Sequence, residues 1–262
     1  MQNKMQNANL SPLVDPQALP LRSVQQIAAD SVLVIAPHPD DETLGCGGAI
    51  ALLCARGCRV RILVVSDGTQ SHPNSRQYPA AKLRALRESE TRSAMALLGV
   101  AAADIEFLGL ADGSVPAMPS DSSDSSDSAE FSAAVDACCN TLKTWQPTLI
   151  FLPWRSDPHL DHRATWQLIH AAVQRLSLSA RLVEYPIWDW DPQQRRHGSD
   201  HERVSAWRLD IHSVVQLKQE AIAVYRSQTT DLIDDDPHGF QLTAAMLANF
   251  SHPWEVYLED IT

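Results

Sequence analysis

Several things are scarce in this 262-residue chain. No apolar run approaches the ~18 residues a membrane span needs. Residues 1–20 are polar and show no basic-then-apolar signal pattern, so the expectation is a cytoplasmic home. Basic residues are outnumbered, 21 against 32 acidic, for a formal net charge of −11. Such a surface repels phosphate backbones and anionic lipid, which makes nucleic acid and membrane poor partners. Cysteines are few and odd in number. Cys46, Cys54, Cys58, Cys138 and Cys139 form no paired CxxC set, so reduced, mostly buried thiols are expected and a sulfur-bound structural zinc is not.

What is present is ordinary for a globular protein: 44% hydrophobic and 20% charged residues. The length suits one α/β domain with a sizeable core. Residues 1–20 read as a flexible tail and 21–262 as a single domain. A Ser/Asp-rich stretch near 118–129 (SDSSDSSDS at its centre) has no apolar content and reads as a mobile, disordered surface loop. Apolar, β-branched runs at 31–36, 59–66, 105–108, 148–153 and 181–185 predict strands. Helical patterns at 42–56, 80–98, 131–145 and 161–176 alternate with them. That alternation points to βαβ units and a mostly parallel sheet. Further along, 21–30, 214–226 and 242–250 read as helices, 203–211 as an edge strand and 254–258 as a last strand.

The chemistry concentrates in two segments, each following a strand. The first is Ala36-Pro37-His38-Pro39-Asp40-Asp41-Glu42. The second is Asp157-Pro158-His159-Leu160-Asp161-His162. In an open α/β sheet, ligands bind beyond the carboxyl ends of the strands, where both segments lie. Pro37 and Pro39 keep the first out of helix until its turn is complete. In the second, Asp157 reads as an N-cap with Pro158 at the first helical position. His159 and His162 then share one helical face, and Asp161 accepts a hydrogen bond as an outer partner of the site. His38, Asp41 and His162 together form a two-histidine, one-carboxylate ligand set that leaves room for water, as a catalytic zinc requires. Fe(II) accepts the same set, which leaves the metal open. Asp40 is the candidate general base. His159 is the candidate that stabilises or protonates the developing oxyanion.

The PHPDDE segment with the later HxDH segment resembles the PIG-L/LmbE-like family of N-acetylglucosamine deacetylases and related amidases. The resemblance runs from about Val32 to Ala164, with weaker echoes to Gln228. It implies a Rossmann-like fold, helices on both faces of the sheet, and one catalytic zinc on His38, Asp41 and His162. It also implies Asp40 as base and His159 as the group that polarises the carbonyl. Arg87, in a segment similar to the family's R-x-x-E…LG helix, and Asp112 are by this resemblance the substrate-binding residues that grip sugar hydroxyls. Lys218 and Ser227-Gln228 resemble a recurring helix end. One departure is Asp157, where some sugar deacetylases carry a tyrosine; neither Tyr78 nor Tyr225 is promoted in its place.

Other features have plainer readings. Gly45-x-Gly47-Gly48 lacks the later acidic partner of a dinucleotide fingerprint, so close helix–strand packing explains it better. Cys46 has no activating base at catalytic spacing and reads as a small core residue. His72 is either part of a lid or a solvated loop residue. His170 lies two turns beyond His162, ~12 Å away, and reads as packing or surface. The 231–236 acidic run reads as a solvated loop. Trp188 and Trp190 suit either stacking on a sugar face or interface packing. The tryptophan-rich 186–210 segment is a candidate homo-oligomer interface.

The expected activity is a zinc-dependent hydrolase that removes the acetyl group from an N-acetylglucosamine-type amino sugar. The alternative is an amidase that cleaves a larger N-acyl group or a thiol-sugar conjugate. A non-catalytic metal or sugar binder would need a disabled base, and Asp40 is intact. A phosphoesterase would want a second metal with bridging carboxylates, and no second set is visible.

Overall fold

The computed structural model describes Leu13 and residues 15–119, 125–193 and 204–261. Its strands are β1 (Leu21–Arg22), β2 (Ser31–Ala36), β3 (Arg59–Ser66), β4 (Ile105–Leu110), β5 (Leu149–Pro153), β6 (Arg181–Tyr185), β7 (Val204–Asp210) and β8 (Trp254–Asp260). The helices are α1 (Asp41–Ala55), α2 (Ala80–Leu98), α3 (Ser125–Trp145), α4 (Leu160–Leu176), α5 (Val215–Ala223), α6 (Arg226–Thr229) and α7 (Ala244–Ala248). All eight strands join one sheet in the order β1-β7-β8-β6-β5-β2-β3-β4. The run from β6 to β4 is parallel throughout. β8 pairs antiparallel with both β6 and β7, and β1 is parallel to β7.

β2 shows why the sequence folds this way. Val32, Leu33, Val34, Ile35 and Ala36 are all fully buried. Val32, Val34 and Ala36 face the core under α1 and α2, whereas Leu33 and Ile35 face the core under α3 and α4. A strand covered on both faces reads as a continuous apolar run rather than an alternating one. The chain moves outward from β2 to β3 and β4, then returns to the other side of β2 for β5 and β6. The reversal opens a crevice between the carboxyl ends of β2 and β5.

Glycines at 45 and 48 let α1 sit close to its neighbours. A Cβ at 45 would lie 2.3 Å from the Tyr185 ring, and one at 48 would lie 2.6 Å from Ile211. Packing, not nucleotide binding, accounts for them. Cys46 is fully buried, as its core reading requires.

Several elements differ from the sequence reading. The 21–30 stretch is the short β1 plus a 3-10 turn at Val24–Gln26, because Leu21 and Arg22 pair with β7. β1 therefore takes the edge and β7 lies inside it. α3 begins at Ser125, so the last part of the Ser/Asp-rich stretch is helical, with Asp127 in the favourable first turn; 120–124 lie outside the described residues. The 214–226 helix is broken into α5 and α6 around Tyr225, and α7 is shorter than 242–250. Ordered packing also starts ahead of residue 21. Leu13 is buried, and the carbonyls of Leu19 and Pro20 accept hydrogen bonds from Arg208; 1–12 and 14 lie outside the described residues. No described helix is long and apolar enough to cross a membrane.

Candidate functional site

The two chemical segments meet at the crevice. The first leaves β2 and turns into α1, and the second leaves β5 and opens α4. Asp40, at the N-cap of α1, has φ 131°, a conformation that costs an L-residue on the order of 1–3 kcal/mol unless its surroundings hold it. They do. The Asp40 carbonyl accepts from the N–H groups of Thr43 and Leu44, each at 2.9 Å. The Asp40 N–H donates to the buried Glu42 carboxylate at 3.2 Å. Glu42 in turn accepts from the Tyr225 hydroxyl and from Thr43. Arg87, itself buried, donates to the Pro39 and Gly68 carbonyls and to Asp40 Oδ2.

Asp41 Oδ2 lies 3.1 Å from His38 Nδ1 and 3.2 Å from His162 Nε2. Two donors held ~2.0–2.1 Å from a tetrahedral ion are about 3.3 Å apart, and each of these two spacings is close to that figure. His162 supplies a second sign. Its side chain is fully buried, and neither ring nitrogen makes a properly directed hydrogen bond, although Asp41 and Asp157 stand within ion-pair distance. Each ring nitrogen of this buried imidazole thus faces a carboxylate oxygen. The far side of His38 is also held, with Nε2 3.1 Å from Asp161 and 3.2 Å from Asp112. Carboxylates behind an imidazole fix its tautomer and orientation. Among the described residues, the groupings whose ligand atoms all lie within 4.8 Å of one another are His38 with His159 and His162, and His38 with Asp112 and Asp161. Asp41 is what ties His38 to His162 most closely.

The electrostatics separate the residues by role. Burial pushes Asp41 up, but His162 and His38 outweigh it and hold the carboxyl well below the usual range. Burial pulls His162 down, but Asp41 and Asp157 outweigh it and set it at about 9. Asp40 is pushed to about 8 by burial, with repulsion from Asp41 and Glu42 adding and Arg87 opposing. Burial, with the charges of His162 and His38, takes His159 down to about 4. His159 is therefore neutral near pH 7. Its Nδ1 accepts from the Asp161 N–H at 3.2 Å, which leaves the proton on Nε2.

The structure brings His38, Asp40, Asp41, His159, Asp161 and His162 together. It uses Arg87 differently from the expected sugar contact: three of its hydrogen bonds go to protein groups, one of them Asp40. Asp112 likewise faces His38 and accepts from the Gln70 N–H at 2.8 Å. Both residues still line the cavity. Asp157 is the residue that sequence reasoning misplaced. The cap of α4 is His159, and Asp157 instead backs His162 and accepts from the N–H groups of His159, Ile187 and Trp188. His72 is not a solvated residue; it is buried against Gly239, next to Ser71 of the cavity lining. The acidic run is not simply solvated either, since Asp235 and Asp236 accept backbone N–H groups from 74–77. Tyr225 is buried behind Glu42.

A cavity of about 430 Å³ opens over the cluster. Its floor is His38, Asp40, Asp41 and His159, and Gln70, Ser71, Asp112 and Gln228 add polar groups. Trp188, Trp190, Phe240 and Phe250 form an apolar wall. Trp188 and Trp190 thus line the cavity; 194–203 lie outside the described residues.

Residues 33–173 match the family PIG-L, GlcNAc-PI de-N-acetylase. The chain belongs to this family. It is 30% identical over 156 residues to the 1D-myo-inositol 2-acetamido-2-deoxy-alpha-D-glucopyranoside deacetylase of Mycobacterium sp. (strain KMS), a match that covers 55% of this chain and 50% of that protein. The chain thus spans about half the length of that relative. The enzyme of the same name from Corynebacterium diphtheriae is 24% identical over 245 residues, 88% of this chain and 78% of that protein. Among solved structures, N,N'-diacetylchitobiose deacetylase from Pyrococcus horikoshii aligns with a TM-score of 0.61 at 25% identity, covering 88% of this chain and 84% of that one. The PIG-L fold and the observed sheet agree.

Proposed function

We propose that this PIG-L protein is a zinc-dependent hydrolase that removes the acetyl group from an N-acetylglucosamine-type amino sugar. The observation that carries the reading is the Asp41 carboxylate set 3.1–3.2 Å from His38 and His162 with Asp40 beside it. The similarity to deacetylases of N-acetylated glucosamine compounds supports the substrate class.

In this reading His38, Asp41 and His162 hold the divalent cation. Zinc is the proposed ion, and Fe(II) suits the same donors. The cation supplies a Lewis acid and an acidified water. A cation bound there would favour the ionised form of Asp40. Asp40 takes a proton from the water as oxygen attacks the amide carbon. The His159 Nε2–H donates to the carbonyl oxygen as negative charge builds there. Asp40 then returns the proton to the nitrogen as the C–N bond breaks, because an amine leaves poorly as an anion. Carboxylic acid and amine result, and the acid's proton then passes to the amine, giving carboxylate and ammonium. Arg87 acts here by holding Asp40, and Asp161 and Asp157 by orienting the imidazoles. The proposed partner is a small N-acyl amino sugar. Five free thiols fit a reducing cytoplasm.

The test is a panel of N-acetylated amino sugars on metal-loaded protein, with acetate and amine both quantified. Equal release of the two from at least one N-acetylglucosamine derivative is expected. Release of neither from the whole panel contradicts the reading.

A further inference from the structure

The polar groups over the cluster suit a sugar ring and its acetamide, whereas the rest of the lining is mostly apolar, with Asp191 and Asn249 as its polar side chains. Trp188 and Trp190 follow β6, Phe240 lies in the loop before α7, Met246 lies on α7, and Phe250 lies just past it. This wall is held in place from both sides. Phe240 meets Trp188 edge to face at 5.6 Å. The Phe240 N–H donates to the Ser71 carbonyl at 2.6 Å. The loop carrying Phe240 is pinned where Asp235 accepts from the N–H groups of Arg76 and Gln77 and from the Ser75 hydroxyl, and where Asp236 accepts from the Asn74 N–H. A Cβ at 239 would lie 2.1 Å from the His72 ring. Glycine there lets the loop lie directly on His72 and sets Phe240 in the cavity wall.

The apolar surface also begins at the chemistry. Trp188 stacks on His159 with centroids 5.9 Å apart and planes at 24°. The full cavity, about 430 Å³, is in the range that encloses ligands well beyond one sugar ring. A preformed apolar wall of this kind favours a ligand with apolar surface to remove from water.

We infer that this mostly apolar side of the cavity takes an apolar group, an alkyl chain or aryl ring, carried by the amino-sugar substrate. The group is borne either on the acyl carbon in place of the acetyl methyl or on the sugar as an aglycone. The inference rests on the deacetylase reading for where the substrate lies.

Four glucosamine derivatives test it: N-acetyl and N-hexanoyl, each as the methyl and the hexyl glycoside. Amine release by metal-loaded protein is the readout. At least one apolar-bearing pair, the N-hexanoyl or the hexyl, is expected to exceed the N-acetyl methyl glycoside in kcat/KM by at least ~10-fold, since each buried methylene contributes severalfold. A gain confined to the N-hexanoyl pair assigns the group to the acyl side; a gain confined to the hexyl pair assigns it to the aglycone. Phe240→Ala and Met246→Gln should each shrink that ratio. Equal rates on all four overturn the inference and leave the deacetylase reading standing. Release from none overturns the deacetylase reading. The apolar side is then judged by binding of hexyl glucoside against methyl glucoside, followed by tryptophan fluorescence. A saturable shift with the hexyl compound alone, weakened by Phe240→Ala, upholds an apolar subsite; no difference between the two removes it.

Discussion

Asp40 combines an unfavourable backbone conformation, burial and a carboxyl pushed to about 8. Each is tolerated because a neighbour compensates: Glu42 for the N–H, Arg87 for the carboxylate. A carboxyl with strongly shifted acidity in a cavity marks a candidate for proton transfer, the role proposed for Asp40. Asp40→Asn keeps the shape and hydrogen bonds but cannot take a proton. Its turnover is expected to fall by ~10²–10⁴-fold with metal content unchanged; turnover at the wild-type rate would remove Asp40 from the role. His38, Asp40, Asp41, His159 and His162 are legible in the sequence because each group sits within a short turn whose spacing is local. Asp157 and Arg87 are not. Asp157-Pro158 looks like a helix start, and only the approach of β6 and the following turn shows its carboxylate turned to His162, Ile187 and Trp188. Arg87 lies 47 residues from Asp40 in sequence, so its partner comes from tertiary packing alone.

At the scale of elements, α1 aims the first segment, and its seat depends on Gly45. A methyl there meets the Tyr185 ring at 2.3 Å, while the Tyr185 hydroxyl donates to the Ile35 carbonyl at the end of β2 at 2.6 Å. Gly45→Ala therefore overpacks the joint between α1, β2 and β6. The expected cost is ~1–3 kcal/mol, read as a Tm lowered by ~2–12 °C; an unchanged Tm would show that Tyr185 yields freely. The parallel strands and main helices were readable because both-face burial leaves apolar runs and α2 stops at Gly99, whose φ of 95° suits glycine. The two-residue β1 was not, because so short a strand carries no periodicity and exists only through its pairing with β7.

At the scale of the whole molecule, the mixed half of the sheet is tied by Glu259 on β8. Its carboxylate accepts from Arg181 on β6 at 2.7 and 2.9 Å and from Arg22 on β1 at 3.0 Å. Burial pushes Glu259 up, but Arg181 and Arg22 prevail and hold it below the ordinary glutamate range. A lowered folded value means the unfolded chain binds the proton first as pH falls. The stabilisation is thus complete above the ordinary glutamate value and is lost as pH drops through the folded value. Glu259→Gln should lower Tm at pH 7 and converge with the parent protein in acid; a Tm gap that persists undiminished in acid would contradict this assignment. The net charge of −11 acts over the same scale and disfavours strongly anionic substrates.

The central claim is that two segments, 123 residues apart where His38 meets Asp161, converge to hold one divalent cation. Calorimetric titration of metal-free protein with Zn²⁺ tests it most directly. One ion per chain is expected, with binding abolished in His162→Ala. Absence of binding, or the same stoichiometry and affinity in His162→Ala, would contradict it.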